Sequence, residues 1–287
     1  MVDLADDVRV PRLGLFLPGS TVGSAAPDAF ERTADLAGAA EAAGFDSVWV
    51  PDGPLPADAD RPGAEEEFEP YSLLGALAVR TKQVALAVLP DGAPARLPSL
   101  MAKIVAGLDV ISHGRAVLSL GVGPETDGLA LEQLDEELQI CRALLTEDAP
   151  SFTGRHFRIT DAPNRPRPVR PGGVPLVVLS DHRQVLEAVV DRADALVVSG
   201  TAAEVIDRTS TVRRRGEAAG REGSGPVILW TCDLHAPDTP GANGDDRQLA
   251  SLVDAGVGGL VVRLVGDHGP DGVARAADRL TAALASP

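Results

Sequence analysis

The sequence predicts an α/β fold, a (β/α)₈ TIM barrel formed by a single domain over residues 1–287. Short apolar segments alternate with longer amphipathic segments, eight of each. Most of the short segments are continuous apolar runs, as expected for parallel strands that are covered on both faces. The length of 287 residues also suits such a barrel, which typically needs about 250 residues.

The predicted strands and helices alternate along the whole chain. The strands are Arg12–Leu17, Ser47–Val50, Val84–Leu89, Ala116–Leu120, Pro175–Leu179, Ala195–Val198, Val227–Thr231 and Gly259–Val262. The helices are Asp28–Ala43, Tyr71–Thr81, Pro98–Ile111, Leu129–Thr146, Arg183–Arg192, Ala203–Ala219, Arg247–Ala255 and Gly272–Leu284. Local signals support two helices, because Gly44 is a favourable end for the first and Thr201 with Glu204 predicts a capping box at the sixth.

An open, doubly wound sheet is the alternative fold. Such a sheet usually has fewer strands and a glycine-rich turn after the first strand. Here the first strand is followed by Leu17-Pro18-Gly19-Ser20, which lacks that glycine pattern. The barrel is therefore favoured.

The segment Pro150–Gly173 interrupts the alternation between the fourth helix and the fifth strand. Its many Pro, Arg and Gly residues predict a short hairpin around Phe152–Ile159 followed by an extended arm. The arginines of this arm are Arg155, Arg158, Arg165, Arg167 and Arg170. Two interpretations remain open: the arm packs on the floor of its own barrel, or it contacts an acidic face of a second subunit.

Charge and composition exclude several classes of protein. A net charge of −16 would repel nucleic acid, and no run of 18 apolar residues predicts a membrane span. The acidic start MVDLADDVRV does not have the pattern of a secretory signal. The two distant cysteines, Cys141 and Cys232, indicate neither a disulfide framework nor a metal site. We expect a cytoplasmic protein without a bound metal.

The active site of such a barrel lies at the carboxyl ends of its strands. The residues that follow the predicted strands are therefore the candidates for chemistry. They are Pro18, Ser20, Asp52, Pro90, Asp91, Gly121, Gly123, Glu125, Ser180, Asp181, His182, Arg183, Ser199, Gly200, Thr201, Cys232, Asp233, His235, Asp267 and His268.

Several segments, in a consistent order, resemble the bacterial-luciferase-like monooxygenase family. They are Ala40–Asp52 (AEAAGFDSVWVPD), Leu108–Gly123 (LDVISHGRAVLSLGVG), Phe152–Phe157 (FTGRHF) and Pro166–Pro175 (PRPVRPGGVP). The resemblance covers about residues 12–283 and is greatest to the branch that uses the deazaflavin coenzyme F420. It implies an enzyme with F420 or FMN in the barrel mouth, acting on a small-molecule substrate, and a homodimer.

The candidate site residues are chosen from those that follow the predicted strands, with the roles that the resemblance to the family implies. A coenzyme ring requires close backbone approach on one side, and its phosphate tail suits the starts of helices. The cofactor-binding candidates are Leu89, Pro90, Gly121, Gly123, Ser180, Arg183, Gly200 and Thr201. The catalytic candidates, for proton transfer, are Asp52, His182 and His235. A cis peptide or a bulge is expected at Leu89-Pro90.

The chain also departs from the family's pattern. The glycines that usually follow the fifth strand are replaced by Leu179-Ser180-Asp181-His182-Arg183, and Asp181 would repel a phosphate. Gly53 stands where the family often has His, and the loop Pro124–Gly128 is short. We therefore expect weak coenzyme binding.

Three functions remain as hypotheses. The first is an F420-dependent oxidoreductase that transfers a hydride to or from a small organic substrate. The alternative is a degenerate family member that binds no flavin and serves as a structural or regulatory partner. A metal-dependent hydrolase is disfavoured, because Pro18-Gly19-Ser20 stands where a His-x-His pair would be needed.

Overall fold

The computed structural model describes residues 12–17, 26–52, 68–90, 96–122, 127–170, 172–218, 225–235, 245–265 and 269–285. The strands are β1 (Leu13–Phe16), β2 (Ser47–Pro51), β3 (Ala85–Leu89), β4 (Leu118–Gly121), β5 (Phe152–Thr153), β6 (Arg158–Ile159), β7 (Leu176–Leu179), β8 (Ala195–Val198), β9 (Val227–His235) and β10 (Gly259–Val265). The helices are α1 (Ala26–Ala42), α2 (Pro70–Arg80), α3 (Pro98–Ile111), α4 (Gly128–Thr146), α5 (Arg183–Val189), α6 (Ala202–Ala218), α7 (Asp245–Asp254) and α8 (Pro270–Ala285).

Eight parallel strands form one sheet in the order β3-β2-β1-β10-β9-β8-β7-β4. The two edge strands meet through a parallel bridge between Leu86 and Ala116. Leu86 donates to the carbonyl of Arg115 at 2.8 Å, and Val117 donates to the carbonyl of Leu86 at 3.0 Å. The sheet is thus nearly closed into a barrel, which confirms the predicted fold and excludes the open sheet.

The interior of the barrel is filled by apolar side chains from alternate strand positions. Trp49 is fully buried there, and its indole NH donates to the hydroxyl of Ser47 at 2.9 Å. Gly14 on the neighbouring strand makes room, because a Cβ at this position would lie 2.4 Å from the indole nitrogen. Around Trp49 pack Phe16, Ala87, Val117, Val177, Ala195, Val197, Leu229 and Val261.

A buried arginine joins three segments at the opposite end of the barrel from the strand ends. Arg115 is 8% exposed and donates to the carbonyls of Ala78, Thr81, Val84 and Ser112 at 2.7–3.2 Å. It also donates to the hydroxyl of Thr81 at 2.9 Å. These hydrogen bonds provide donors for carbonyls at the end of α2, at the end of α3 and before β3. Without Arg115 these carbonyls would be buried without partners.

The predicted hairpin and arm are present, and the arm lies on its own barrel. β5 and β6 pair as a short antiparallel hairpin, and the carboxylate of Glu136 in α4 accepts three backbone NH groups from residues 155–157. Arg155 forms an ion pair with Glu132 at 2.7 Å. Farther along, the NH of Val169 donates to buried Asp109 at 2.7 Å. These contacts favour the intramolecular interpretation of the arm.

Two local signals in the sequence are confirmed. Gly44 has φ +90°, the left-handed conformation expected just after α1. At α6 the NH of Thr201 donates to the carboxylate of Glu204 at 2.8 Å, and the NH of Glu204 donates back to the hydroxyl of Thr201 at 3.4 Å. This is the capping box.

Three predicted boundaries differ from the observed ones by three or more residues. β9 continues to His235 and β10 to Val265, beyond the predicted ends at Thr231 and Val262. Beyond the predicted ends lie the charged residues Asp233 and Arg263, and each is the other's partner across the sheet. The third error is α5, which ends at Val189 rather than Arg192.

Candidate active site at the carboxyl ends of the strands

On one side of the barrel mouth, Asp52 belongs to a network of charged groups. Asp52 follows β2, and its carboxylate accepts a hydrogen bond from the guanidinium of Arg96 at 2.7 Å. Arg96 also binds Glu69 at 3.0 Å. Because the carboxylate of Asp52 already interacts with a cation, the geometry favours Asp52 as a group that positions Arg96 rather than one that donates a proton.

Arg96 is also in contact with an aromatic ring. Its guanidinium lies 5.3 Å from the centroid of the Tyr71 ring. Burial raises the pKa of Tyr71, and the negative charge of Asp52 raises it further. Burial alone would lower the pKa of Arg96, but the hydrogen bond and charge of Asp52 outweigh burial and raise it. Arg96 therefore stays charged and Tyr71 stays a neutral phenol.

Arg96 is not among the residues predicted from the sequence. It lies between β3 and α3, where the candidate list stopped at Asp91. The available signal was a lone arginine just before the predicted start of a helix at Pro98, in a loop at the mouth. Its partners Asp52 and Glu69 are 44 and 27 residues away, and no local pattern reveals such a contact.

Pro90 and Gly121 are in contact where β3 and β4 end. A Cβ on Gly121 would lie 3.0 Å from Cγ of Pro90 and 3.3 Å from the carbonyl oxygen of Leu179. Among the described residues the cis peptide bond is Arg165-Pro166, so Leu89-Pro90 is trans. The register of β2 and β3 is regular as far as Pro51 and Leu89. The expected cis peptide or bulge at Leu89-Pro90 was wrong, because Pro90 ends the strand by packing into the space at Gly121.

On the other side of the mouth, Asp181 joins the loops that follow β7 and β8. Its carboxylate accepts the backbone NH of Ser199 at 2.7 Å and also the hydroxyl of Ser199. Arg208 of α6 lies 3.4 Å from the same carboxylate and donates to the carbonyls of Asp181 and Ser199. Asp181 is thus held by donors that would otherwise be available to an anion.

The start of α6 is likewise occupied by a side chain of the protein. The carboxylate of Glu204 accepts both the NH and the hydroxyl of Thr201, each at 2.8 Å. These hydrogen bonds lower the pKa of Glu204. Gly200 has φ +105°, and a Cβ there would lie 2.7 Å from Glu204 and 2.9 Å from Arg208. A negative charge therefore already sits at this helix N-terminus.

The remaining candidates after β7 surround the start of α5. Ser180 is buried, and its hydroxyl accepts the NH of His182 at 3.1 Å. The imidazole of His182 forms no hydrogen bond with any described residue. Arg183 is 61% exposed and pairs with Glu187 one turn later at 2.8 Å. None of these contacts directs Arg183 into the mouth.

β9 and β10 contribute an ion pair to the inner wall. Asp233 and Arg263 face each other in register and form two hydrogen bonds of 2.7 Å. Leu229 of β9 lies in the interior core, so the alternation of a strand places Thr231, Asp233 and His235 on the same inner face. Asp233 is among the residues predicted from the sequence but Arg263 is not, because the eighth strand was predicted to end at Val262.

The structure gathers the candidate residues into two groups at one end of the barrel. Asp52, Leu89, Pro90 and Gly121 lie on the adjacent strands β2, β3 and β4, and the NH of Asp52 donates to the carbonyl of Leu89 at 3.2 Å. The other group lies at the ends of β7, β8 and β9. It consists of Ser180, His182, Arg183, Gly200, Thr201 and His235. Gly123 lies outside the described residues.

The described residues contain neither a cluster of metal ligands nor a membrane-spanning helix. Within the described parts of the chain, no group of three or more His, Cys, Asp or Glu side chains could hold a metal ion. No helix among the described residues has both the length and the apolar character needed to span a bilayer.

Comparisons with known proteins agree with the fold. An uncharacterised protein of Mycobacterium tuberculosis is 26% identical over 268 residues, which covers 86% of this chain and 91% of the relative. An F420-dependent glucose-6-phosphate dehydrogenase of Amycolatopsis mediterranei is 30% identical over 147 residues, or 46% of this chain and 43% of that protein. A solved F420-dependent secondary alcohol dehydrogenase superposes with a TM-score of 0.76 and 16% identity, covering 95% of this chain and 99% of that one.

The family profile described as luciferase-like monooxygenase matches residues 12–243. That range contains most of the barrel, from β1 through β9. The match agrees with the nearly closed barrel and with the segments that resemble the family. The chain therefore belongs to the luciferase-like monooxygenase family.

Proposed function

We propose that this chain is an oxidoreductase that uses coenzyme F420 to transfer a hydride to or from a small organic substrate. Membership of a family of flavin and deazaflavin enzymes supports this proposal. The observation that carries it is the inner wall at the strand ends, which combines apolar residues with one charged pair, Asp233 and Arg263. Coenzyme sites typically combine apolar walls with a few polar groups in this way.

The residues around β1, β3 and β7 fit a flat coenzyme ring. Phe16, Leu89 and Leu179 pack on the interior core at or near the ends of their strands. Pro90 and Gly121 bring the backbones of β3 and β4 close together beside them. When bound, F420 would supply or accept the hydride, and these residues would orient its ring and exclude water.

The donors that would hold the coenzyme's phosphate are present but engaged. The NH of Thr201 at the start of α6 donates to the carboxylate of Glu204. The guanidinium of Arg208 forms an ion pair with Asp181. A phosphate could use them only after displacing a carboxylate of the chain. We therefore expect weak binding of F420, in agreement with the absence of glycines after the fifth strand of the barrel.

Replacing Glu204 with glutamine should increase the affinity for F420 about tenfold, because one charge-assisted contact with an anion is worth about 1.5–3 kcal/mol. Glutamine can keep the capping box but removes the negative charge that competes with the phosphate. The measurement is a fluorescence titration of the purified variant with F420, and with FMN in parallel.

Glu217→Gln is the matched control for that experiment. It removes the same charge from the exposed end of the same helix, far from Thr201. If Glu204→Gln binds F420 no better than Glu217→Gln does, the phosphate lies elsewhere and Ser180, Gly200 and Thr201 are not its ligands.

Proton transfer in the proposed reaction is assigned to His235. Its side chain lies on the inner face of β9, two residues beyond Asp233, whereas Asp52 is bound to Arg96. Replacement of His235 with glutamine should lower kcat about a hundredfold, the usual scale for losing a general acid or base, with little effect on coenzyme affinity. Turnover with F420 and a panel of small alcohols and activated alkenes measures this.

His182→Gln is the companion variant, since His182 is the other catalytic candidate at the mouth. A hundredfold loss in His182→Gln with none in His235→Gln would move the role to His182. Equal turnover in both variants and the parent would remove proton transfer by histidine from the mechanism.

A second function is favoured by the two carboxylates that occupy the expected phosphate site. Asp181 and Glu204 give a structural reason why the chain would bind no flavin and act as a structural or regulatory partner. The test is the same titration with an Asp181→Asn, Glu204→Gln double variant. If neither the parent nor this variant binds F420 or FMN at millimolar concentration, the flavin-free function replaces the oxidoreductase.

A further inference from the structure

We propose that the thiol of Cys141 changes its hydrogen-bond acceptor with pH, donating to the carbonyl of Pro98 while Glu137 is protonated and to the carboxylate of Glu137 once it is ionised. Cys141 and Glu137 are buried residues of α4, and Pro98 is the first residue of α3. The two helices pack against each other. The inference depends on the fold and not on the proposed reaction.

The first acceptor is in place in the structure. The Sγ atom of Cys141 lies 3.4 Å from the carbonyl oxygen of Pro98, a normal distance for a thiol donor. Cys141 is fully buried, and burial raises the pKa of its thiol, as does the negative charge of Glu137. The thiol therefore keeps its proton at neutral pH and remains a donor with a single hydrogen.

The second acceptor lies one helical turn away. Glu137 precedes Cys141 by four residues, so the two side chains are neighbours on the same side of α4. Glu137 is 4% exposed, and its Oε2 has no hydrogen-bond partner among the described residues. A buried carboxylate without a donor is costly, and a hydrogen bond to a charged acceptor is roughly twice as strong as one to a neutral acceptor. The ionised carboxylate should therefore take the thiol hydrogen from Pro98.

The charged groups around Glu137, on α4 and on the elements packed against it, already have other partners. They are Lys103 with the carbonyl of Arg165, Asp109 with the NH of Val169, Arg183 with Glu187, Arg155 and His156 with Glu132, Glu136 with three NH groups of the hairpin, Arg192 with Asp135, and Arg142 with Asp194. β4 carries no charged residue. Burial alone raises the pKa of Glu137, to about 7. The change of acceptor should therefore occur near neutral pH.

The start of α3 also borders the candidate active site. Pro98 lies two residues after Arg96, whose guanidinium binds Asp52 at 2.7 Å and packs on the ring of Tyr71. Burial and Asp52 raise the pKa of Tyr71, and a charge on Cys141 would add to their effect, so the thiol and the phenol are close together. Loss of the contact between Cys141 and Pro98 should therefore be felt by Tyr71 as the pH rises through 7.

Infrared spectroscopy of the S–H stretching band tests the proposal. This band lies apart from other protein absorptions and moves to lower frequency as the thiol donates a stronger hydrogen bond. The chain has two cysteines, so Cys232→Ser leaves the band of Cys141 alone. If that variant does not fold, the band that is lost in Cys141→Ala identifies Cys141. Between about pH 5 and pH 8 the band should move to lower frequency, with a midpoint near pH 7.

Glu137→Gln is the key variant, because glutamine keeps nearly the same shape and cannot ionise. In this variant the S–H band of Cys141 should not move with pH. Glu217→Gln changes an exposed carboxyl of α6, and its band should move as in the parent. A parental band that stays in place between pH 5 and pH 8 would overturn the proposal, and so would a shift of the same size in Glu137→Gln.

Tyr71 gives a second measurement, since it is the single tyrosine of the chain. Its near-ultraviolet absorption should differ between pH 5 and pH 8 in the parent, with the same midpoint as the S–H band, and should be constant in Glu137→Gln. A tyrosine spectrum that is the same at both pH values in the parent would show that the change at Cys141 does not reach the mouth, and would overturn that part of the proposal.

Discussion

Replacement of Arg115 with methionine is expected to lower the free energy of unfolding by about 3–5 kcal/mol, because each buried acceptor left without a donor costs about 1–3 kcal/mol. Four backbone carbonyls that accept from the guanidinium would remain buried without donors. Methionine fills much of the same volume, so the loss measures the hydrogen bonds more than a cavity. Urea unfolding followed by circular dichroism gives the difference.

Arg115→Lys is the informative companion, because it keeps the positive charge. Burial lowers the pKa of Arg115, so the environment does not favour a charge for its own sake. A single ammonium group cannot reach the carbonyl acceptors of Ala78, Val84 and Ser112 together, and the lysine variant should recover only part of the stability. If Arg115→Lys is as stable as the parent, charge rather than geometry explains the residue.

Replacement of Glu137 with glutamine should stabilise the protein above pH 7 by up to about 3 kcal/mol, since one pKa unit corresponds to about 1.4 kcal/mol. Glu137 is 4% exposed in α4, and its Oε2 has no partner among the described residues. Burial raises the pKa of Glu137 from 4.5 to about 7. Glutamine has nearly the same shape and never has to ionise.

The direction of the pH dependence of stability follows from the proton affinity of Glu137 in the folded and unfolded chains. The folded chain holds the proton of Glu137 up to about pH 7, whereas the unfolded chain releases it near pH 4.5. The parent is therefore most stable, in this respect, below pH 4.5 and loses stability as the pH rises towards and through 7. The advantage of Glu137→Gln over the parent should grow between pH 5 and pH 8.

Unfolding free energies at pH 5 and pH 8 measure this difference. Glu217→Gln, which changes an exposed carboxyl of α6, should follow the parent at both pH values. If the parent and Glu137→Gln show parallel pH dependence, Glu137 has a donor that the described residues do not include.

The fold could be predicted from the sequence because its signals are local. Apolar runs predicted the strands, Gly44 predicted the end of α1, and Thr201 with Glu204 predicted the start of α6. The ends of β9 and β10 were missed because Asp233 and Arg263 look like loop residues until each is seen beside the other. A charge in a strand is acceptable when its partner lies in register on the next strand.

The candidate site was less predictable, since it depends on contacts between distant loops. The position of Pro90 at the end of its strand was correct, but its peptide is trans, and its ring packs against Gly121, 31 residues later. The capping box was predicted at Thr201, yet its consequence was not, namely that Glu204 occupies donors expected to serve a phosphate. A local sequence pattern does not show whether the donors at Thr201 bind the carboxylate of Glu204 or the phosphate of a coenzyme.

Trp49 closes the interior of the barrel, so that no channel runs through it. Its indole is buried against Gly14 and shares the interior core with Phe16, Ala87 and Leu229. Molecules can therefore reach the strand ends from one direction alone. If a coenzyme and a substrate both bind there, whichever lies nearer to Trp49 must arrive first and depart last. In that case the packed interior at Trp49 would set the order of addition and release.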